Sequence, residues 1–152
     1  MLRDGVDYVN RFAITQFDWD TFNRFWPKME RELDLIPHVW RFWTKEFIQA
    51  AVEHHALVVW GCGSPPNAEF IFFTQVNIYP AMKILSVPLA FGRFDPRMMD
   101  LLDGTMERYA RIQECQEIWI NGRRGWKPHF MNIGFRHESE LWVRPVTQMR
   151  IN

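Results

Sequence analysis

The chain has 152 residues, enough for one domain with a real core, and its 18 Lys+Arg balance 18 Asp+Glu. Zero formal net charge excludes a global field that would draw in nucleic acid or an anionic membrane surface, and no apolar run reaches membrane-spanning length. Aromatics at 16%, with eight Trp, exclude a disordered chain and point to large, rigid packing units.

The opening MLRDGVDYVN carries charges at once and lacks the apolar centre of a signal peptide. Residues 8–16 form a weak first strand. Asp18 or Asp20 then caps a helix whose apolar face is Phe22, Phe25, Trp26, Met29, Leu33 and Ile36, with Pro27 expected to kink or divide it. Pro37 suits the first turn of a second helix with the face Trp40, Trp43, Phe47 and Ala51. A strand starts at 57–60, and GSPPN at 63–67 is a turn. AEFIFFTQVNI is the next strand, Tyr79 and Pro80 a turn, and MKILSVPLAF a further strand. Asp95 and Pro96 open a third long helix with Met98, Leu101 or Leu102, Met106, Tyr109 and Ile112 along its buried side. Gly104 is a soft spot there, worth roughly 1 kcal/mol against Ala. QEIWI at 116–120 is a short buried strand. After Gly125, Trp126, Phe130 and Ile133 recur at helical spacing until Gly134, and RHESELWVRPV alternates as a last strand. No repeat or linker divides the chain, so residues 1–152 read as a single domain.

Strand, two helices, three strands, helix, strand, helix, strand predicts an α/β (α+β mixed sheet) fold with helices on both faces. Over nearly the whole chain this order resembles the GCN5-related N-acetyltransferase (GNAT) fold, with its central, mostly antiparallel sheet. The strand followed by a short helix ending in IGF is similar to that family's common "lyeklGF" ending. More narrowly, NGRRGW followed by GF resembles small GNAT-like proteins encoded by tailed bacteriophages. Some of those are virion components, including internal virion proteins of short-tailed phages.

The resemblance implies where acyl-transfer chemistry would sit. In GNAT enzymes the pyrophosphate of acetyl-CoA rests on backbone N–H groups after the fourth strand, in a basic "Q/R-x-x-G-x-G/A" loop. The matching stretch here is AFGRFDPRMMD at 90–100. It keeps Gly92 and Arg93 and lacks the second glycine. Asp95 at the N-cap satisfies the free N–H groups itself, and Pro96 removes a donor. The tyrosine that many GNAT enzymes use as an acid, four residues before the glycine of GF, is replaced by Phe130. His129 beside it points off that helix face. No Asp or Glu lies between Phe70 and Gly92, and Glu69 stands at the strand margin. Tyr79 or His129 are the substitutes if a base acts through water.

Other clusters have plain readings. His54 and His55 are adjacent, face apart on a helix and lack a spaced partner for zinc, so no metal site is expected. Cys62 and Cys115 form no metal-like pair and are expected as two reduced thiols in an intracellular setting. Cys115 reads as a buried small hydrophobe. GRRGWK at 122–127 reads as a solvated turn whose arginines pair with HESE. Aromatics on the two early helices exceed what one core face needs, which suits a protein contact.

The expectation is thus a phage-encoded GNAT-fold protein, catalytically degenerate, working as a virion-associated or structural protein through protein–protein contacts. It would need no cofactor and would reside in the virion or the host cytoplasm. Its partners would be other protein chains, virion proteins among them, with no nucleic acid and no membrane. Trp19, Trp26, Arg123 and Trp126 are the interface candidates. The alternative is an active acetyl-CoA-dependent N-acetyltransferase with the cofactor at Gly92, Arg93, Phe94 and Arg97. A host-interaction module is a third reading.

Overall fold

The computed structural model describes residues 13–36, 39–63, 68–120, 127–136 and 144–145. The elements are β1 (Ile14–Gln16), α1 (Trp19–Asp34), α2 (Val39–Phe42), α3 (Lys45–Glu53), β2 (Val58–Cys62), β3 (Phe70–Ile78) and β4 (Lys83–Gly92). A 3-10 turn (Pro96–Met98) then leads into α4 (Met99–Ile112), β5 (Glu117–Ile120) and α5 (Lys127–Asn132). The five strands form one sheet in chain order. All neighbours are antiparallel except β4 and β5, which run parallel because α4 supplies the crossover between them. This is the mixed α/β fold the element order predicts. The expected turn over 64–67 and the last strand, through 137–143, fall outside the described residues.

The sheet separates two cores. Phe22, Phe25, Met29 and Leu33 of α1, with Ile48 and Val52 of α3, pack on Val59, Ile71, Phe73 and Leu89. Across the sheet, Met98, Met99, Leu102 and Met106 pack on Trp60, Phe70, Phe72 and Val87. Phe130 and Ile133 of the α5 region join this second core, half-buried as opposed to fully buried.

Helix α1 starts where Asp18 accepts the N–H of Thr21 at 2.7 Å. It continues through Pro27 undivided, so of the two expected outcomes the division does not occur. An interior proline costs about 3 kcal/mol. Phe22, Phe25, Trp26, Met29 and Leu33 are buried on one side, and at about 1.5–3 kcal/mol each they outweigh it. The second expected helix is instead two. Thr44 restarts it by accepting the N–H of Phe47 at 3.1 Å. The new start turns Ile48, Ala51 and Val52 inward and leaves Phe47 54% exposed, so Phe47 is not on the buried face. Lys45 ties α3 to α1 through Glu30 at 3.3 Å and Asp34 at 3.4 Å.

Helix α4 keeps most of its expected face, with Tyr109 packed against the second core. The 3-10 turn before it brings Met99 and Ala110 inward with Met98, Leu102 and Met106. Leu101 and Ile112 face solvent, and Ile112 is 74% exposed.

A bulge sits in the second half of β4. Phe73 pairs with Leu89, but Gln75 pairs with Ser86, so Val87 and Pro88 together oppose Thr74. Pro88 has no N–H to give to a ladder, and a bulge is where a sheet tolerates it. The extra residue reverses the facing of the strand: Val87 enters the second core and Leu89 the first.

Candidate functional site

The parallel pairing of β4 and β5 runs from Ile84 opposite Glu117 to Val87 opposite Ile120. Among the described residues this pairing ends there, next to the bulge, while β4 continues to Gly92 along β3. The loop that follows is the stretch singled out by the sequence, and each of its residues now has a local reason.

Gly92 adopts φ +98°, in the left-handed region that favours glycine, and an added Cβ would lie 2.2 Å from the carbonyl oxygen of Glu69. That same carbonyl accepts the N–H of Arg93 at 2.8 Å. The glycine therefore lets the backbone of β4 close on β3. Phe94 turns back over the second core, its ring 5.3 Å from that of Phe70 and 6.2 Å from the His129 imidazole, both edge-on. Asp95 caps the 3-10 turn, accepting the N–H of Arg97 at 3.0 Å. It also holds the Arg97 guanidinium on both carboxylate oxygens, Nε to Oδ1 at 3.1 Å and Nη2 to Oδ2 at 2.7 Å. Pro96 opens the turn and contributes no donor.

The structure gathers Phe94 and His129 at this loop and sends Tyr79 elsewhere. Tyr79 closes the β3–β4 turn by exchanging backbone bonds with Met82, and its ring stacks on Trp119 with centroids 6.5 Å apart. Phe130 contacts Phe135, at 5.5 Å between centroids. Glu69 is exposed and meets the site through its backbone carbonyl.

The interface candidates divide. Trp19 is 39% exposed and lies on Phe22, with centroids 5.6 Å apart. Trp26 is a correction: it is 8% exposed, packed against Phe22 inside the first core, and has almost no surface to offer. Arg123 and Trp126 lie outside the described residues. Other exposed apolar side chains on or next to α1, α2 and α3 are Leu35, which sequence reasoning passed over, Phe42, one of the surplus aromatics, and Phe47, expected on a buried face. For Phe42 the signal was present, since it falls off the face that Trp40, Trp43 and Phe47 share by helical spacing.

Both thiols are free. Burial pushes Cys62 up to about 12, and desolvation raises Cys115 as well. His54 caps the end of α3, and His55 follows at φ 61°. Among the described residues no group of His, Cys, Asp and Glu is arranged to hold a metal, and no helix is long and apolar enough to cross a membrane. A cavity of about 300 Å³ lies away from the Asp95 turn, lined by Asp103, Ala110, Cys115, Ile118, Ile133 and Phe135 among others. Desolvation raises the Asp103 carboxyl there, reinforced by Glu107 and Asp100.

Solved structures share this architecture. One described as a probable acetyltransferase superposes with a TM-score of 0.66 at 9% identity, over 90% of this chain and 99% of its own. A GCN5-related N-acetyltransferase from Ralstonia eutropha gives 0.63 at 12% identity, over 88% and 97%. The fold is that of the GCN5-related N-acetyltransferases. A predicted acetyltransferase from Clostridium acetobutylicum, solved with acetyl-CoA, gives 0.62 at 11% identity, over 88% and 95%. Comparison with protein-family models and with curated proteins found no match.

Proposed function

We infer that this chain is a phage-encoded protein that uses the GNAT fold as a scaffold for contacts with other protein chains, as a virion-associated component. The observation that carries this reading is the Asp95 turn. A diphosphate at that point needs free backbone donors and positive charge. Here Asp95 places a carboxylate at the turn, takes the N–H of Arg97 and binds its guanidinium, while Pro96 has no N–H. The approach of β3 is a sufficient reason for Gly92. The residues present do not fit the diphosphate of acetyl-CoA, and no acyl-transfer step is assigned to them. Exposed Leu35, Phe42, Phe47 and Trp19 support the contact role. The phage origin rests on the NGRRGW and GF resemblance.

The second reading is an active N-acetyltransferase, which the shared fold and the acetyl-CoA-bearing neighbour favour. Isothermal titration with acetyl-CoA, beside sedimentation and pull-down from the native source, separates the two. The scaffold reading expects no useful CoA binding and co-sedimentation with other chains. A monomer that co-purifies with nothing and acetylates an amine overturns it.

A further inference from the structure

We propose that Tyr79, Trp119 and Glu117 form a docking site for an arginine side chain of a partner protein. The site lies at the opposite end of β4 from the Asp95 turn, and strand register assembles it. Gln75, Ser86 and Trp119 stand side by side across β3, β4 and β5, and Asn77, Ile84 and Glu117 stand in the next row. Side chains two apart on a strand share a face, so Glu117 and Trp119 project together, as do Gln75, Asn77 and Tyr79. This is the side of the sheet that α1 and α3 cover further along. Here Gln75, Asn77 and Ser86 remain half-buried, joined by Asn77 Nδ2 to Ser86 Oγ at 3.3 Å and Ser86 Oγ to the Gln75 carbonyl at 3.2 Å.

At the rim, Trp119 and Tyr79 are each about half exposed, with planes 29° apart and centroids 6.5 Å apart. A cation over the exposed face of either ring, within about 6 Å of its centroid, meets the negative π cloud in the range of cation–π attraction. Glu117 supplies the charge. One of its oxygens accepts the Trp119 indole N–H at 3.3 Å, which fixes the ring and leaves further lone pairs for a donor. Among the described residues no Lys or Arg pairs with Glu117. Two aromatic faces and an unneutralised carboxylate match a planar guanidinium, which lies flat on a ring and grips a carboxylate through several N–H groups. A lysine ammonium offers only a point charge.

That the arginine comes from a protein rests on the scaffold reading above; the chemistry of the site does not. The test is a titration of the full-length, 15N-labelled chain with acetyl-Gly-Arg-Gly-amide and with the same peptide carrying citrulline. The Trp119 indole signal is assigned through Trp119→Phe. The expected result is a saturable shift of that signal with the arginine peptide and none with the citrulline peptide. Glu117→Gln keeps an acceptor for the indole and removes the charge, and should weaken binding about threefold or more. Tyr79→Leu should weaken it too. No shift, an equal shift with citrulline, or an unchanged affinity in Glu117→Gln overturns the proposal. Binding of acetyl-CoA would overturn the scaffold reading and leave this titration unaffected, so the two failures are distinguishable.

Discussion

The indole N–H of Trp60 donates to the Thr74 hydroxyl at 2.9 Å, inside the second core and beside the β4 bulge. Thr74 is 2% exposed and stands among apolar neighbours as the buried polar side chain of the described residues. Thr74→Val keeps the shape and deletes the acceptor. A buried donor left unsatisfied costs about 1–3 kcal/mol, so the unfolding midpoint should fall by several degrees. Thr74→Ser should retain most of the bond and most of the midpoint. If both variants melt like the parent, the indole is satisfied by something other than Thr74.

Two glycines should respond in opposite directions. Gly92→Ala meets the Glu69 carbonyl and a positive φ at once, and should destabilise by about 1–3 kcal/mol. Gly104 lies inside α4 with open space around its missing Cβ. Gly104→Ala should stabilise by about 0.4–1 kcal/mol. Chemical denaturation of both variants checks the pair, and a Gly92→Ala variant as stable as the parent would contradict the strand-contact account.

Removing the Asp95 carboxylate should expose whatever anion-binding capacity the turn retains. Asp95→Gly removes the carboxylate that accepts from the Arg97 N–H and guanidinium, and any affinity for CoA measured by calorimetry should rise relative to the parent. Micromolar binding by the parent, unchanged in the variant, would show that the carboxylate does not compete.

The two thiols should separate kinetically. Cys115 is half-buried and Cys62 is buried with its thiol near 12, so a thiol reagent at neutral pH should label Cys115 first and Cys62 only on unfolding. The linkage has a definite sign. The folded chain holds the Cys62 proton to higher pH than the unfolded chain does. Its contribution to stability is therefore complete below about pH 9 and lost as pH rises toward 12. Cys62→Ala should flatten that alkaline loss relative to the parent.

Phe130 is half-buried against the second core and touches Phe135. Phe130→Ala should cost about 1–3 kcal/mol, below the roughly 3–5 kcal/mol of a fully enclosed aromatic. A denaturation midpoint equal to the parent's would mean that α5 contributes no packing.

Much of the fold was legible because local chemistry and periodicity agree. Asp18 followed by apolar residues at helical spacing fixes α1, and the strand runs of β3 and β4 stand between evident turns. What was not legible depends on distant partners. Thr44 reads as an ordinary helix residue until its hydroxyl is seen capping Phe47, and the whole face of α3 turns on that bond. Ile112 looks like core by spacing, but the end of α4 runs past the apolar surface. Gly92 looks like a phosphate residue, and only the approach of Glu69 from the neighbouring strand reveals its reason. At the Tyr79 and Trp119 site, residues 40 positions apart meet because β5 pairs with β4, a fact no local pattern encodes.

Residues 70–73 of β3 are all buried, and they alternate: Phe70 and Phe72 serve the second core, Ile71 and Phe73 the first. Both edges of the strand are paired, to β2 and to β4. Losing either core would strip side-chain support from a backbone that the other core also needs. The two halves therefore cannot melt one after the other. The amide protons of β3 should exchange with solvent only when the whole chain opens, making this strand the slowest-exchanging block and its opening free energy equal to that of global unfolding.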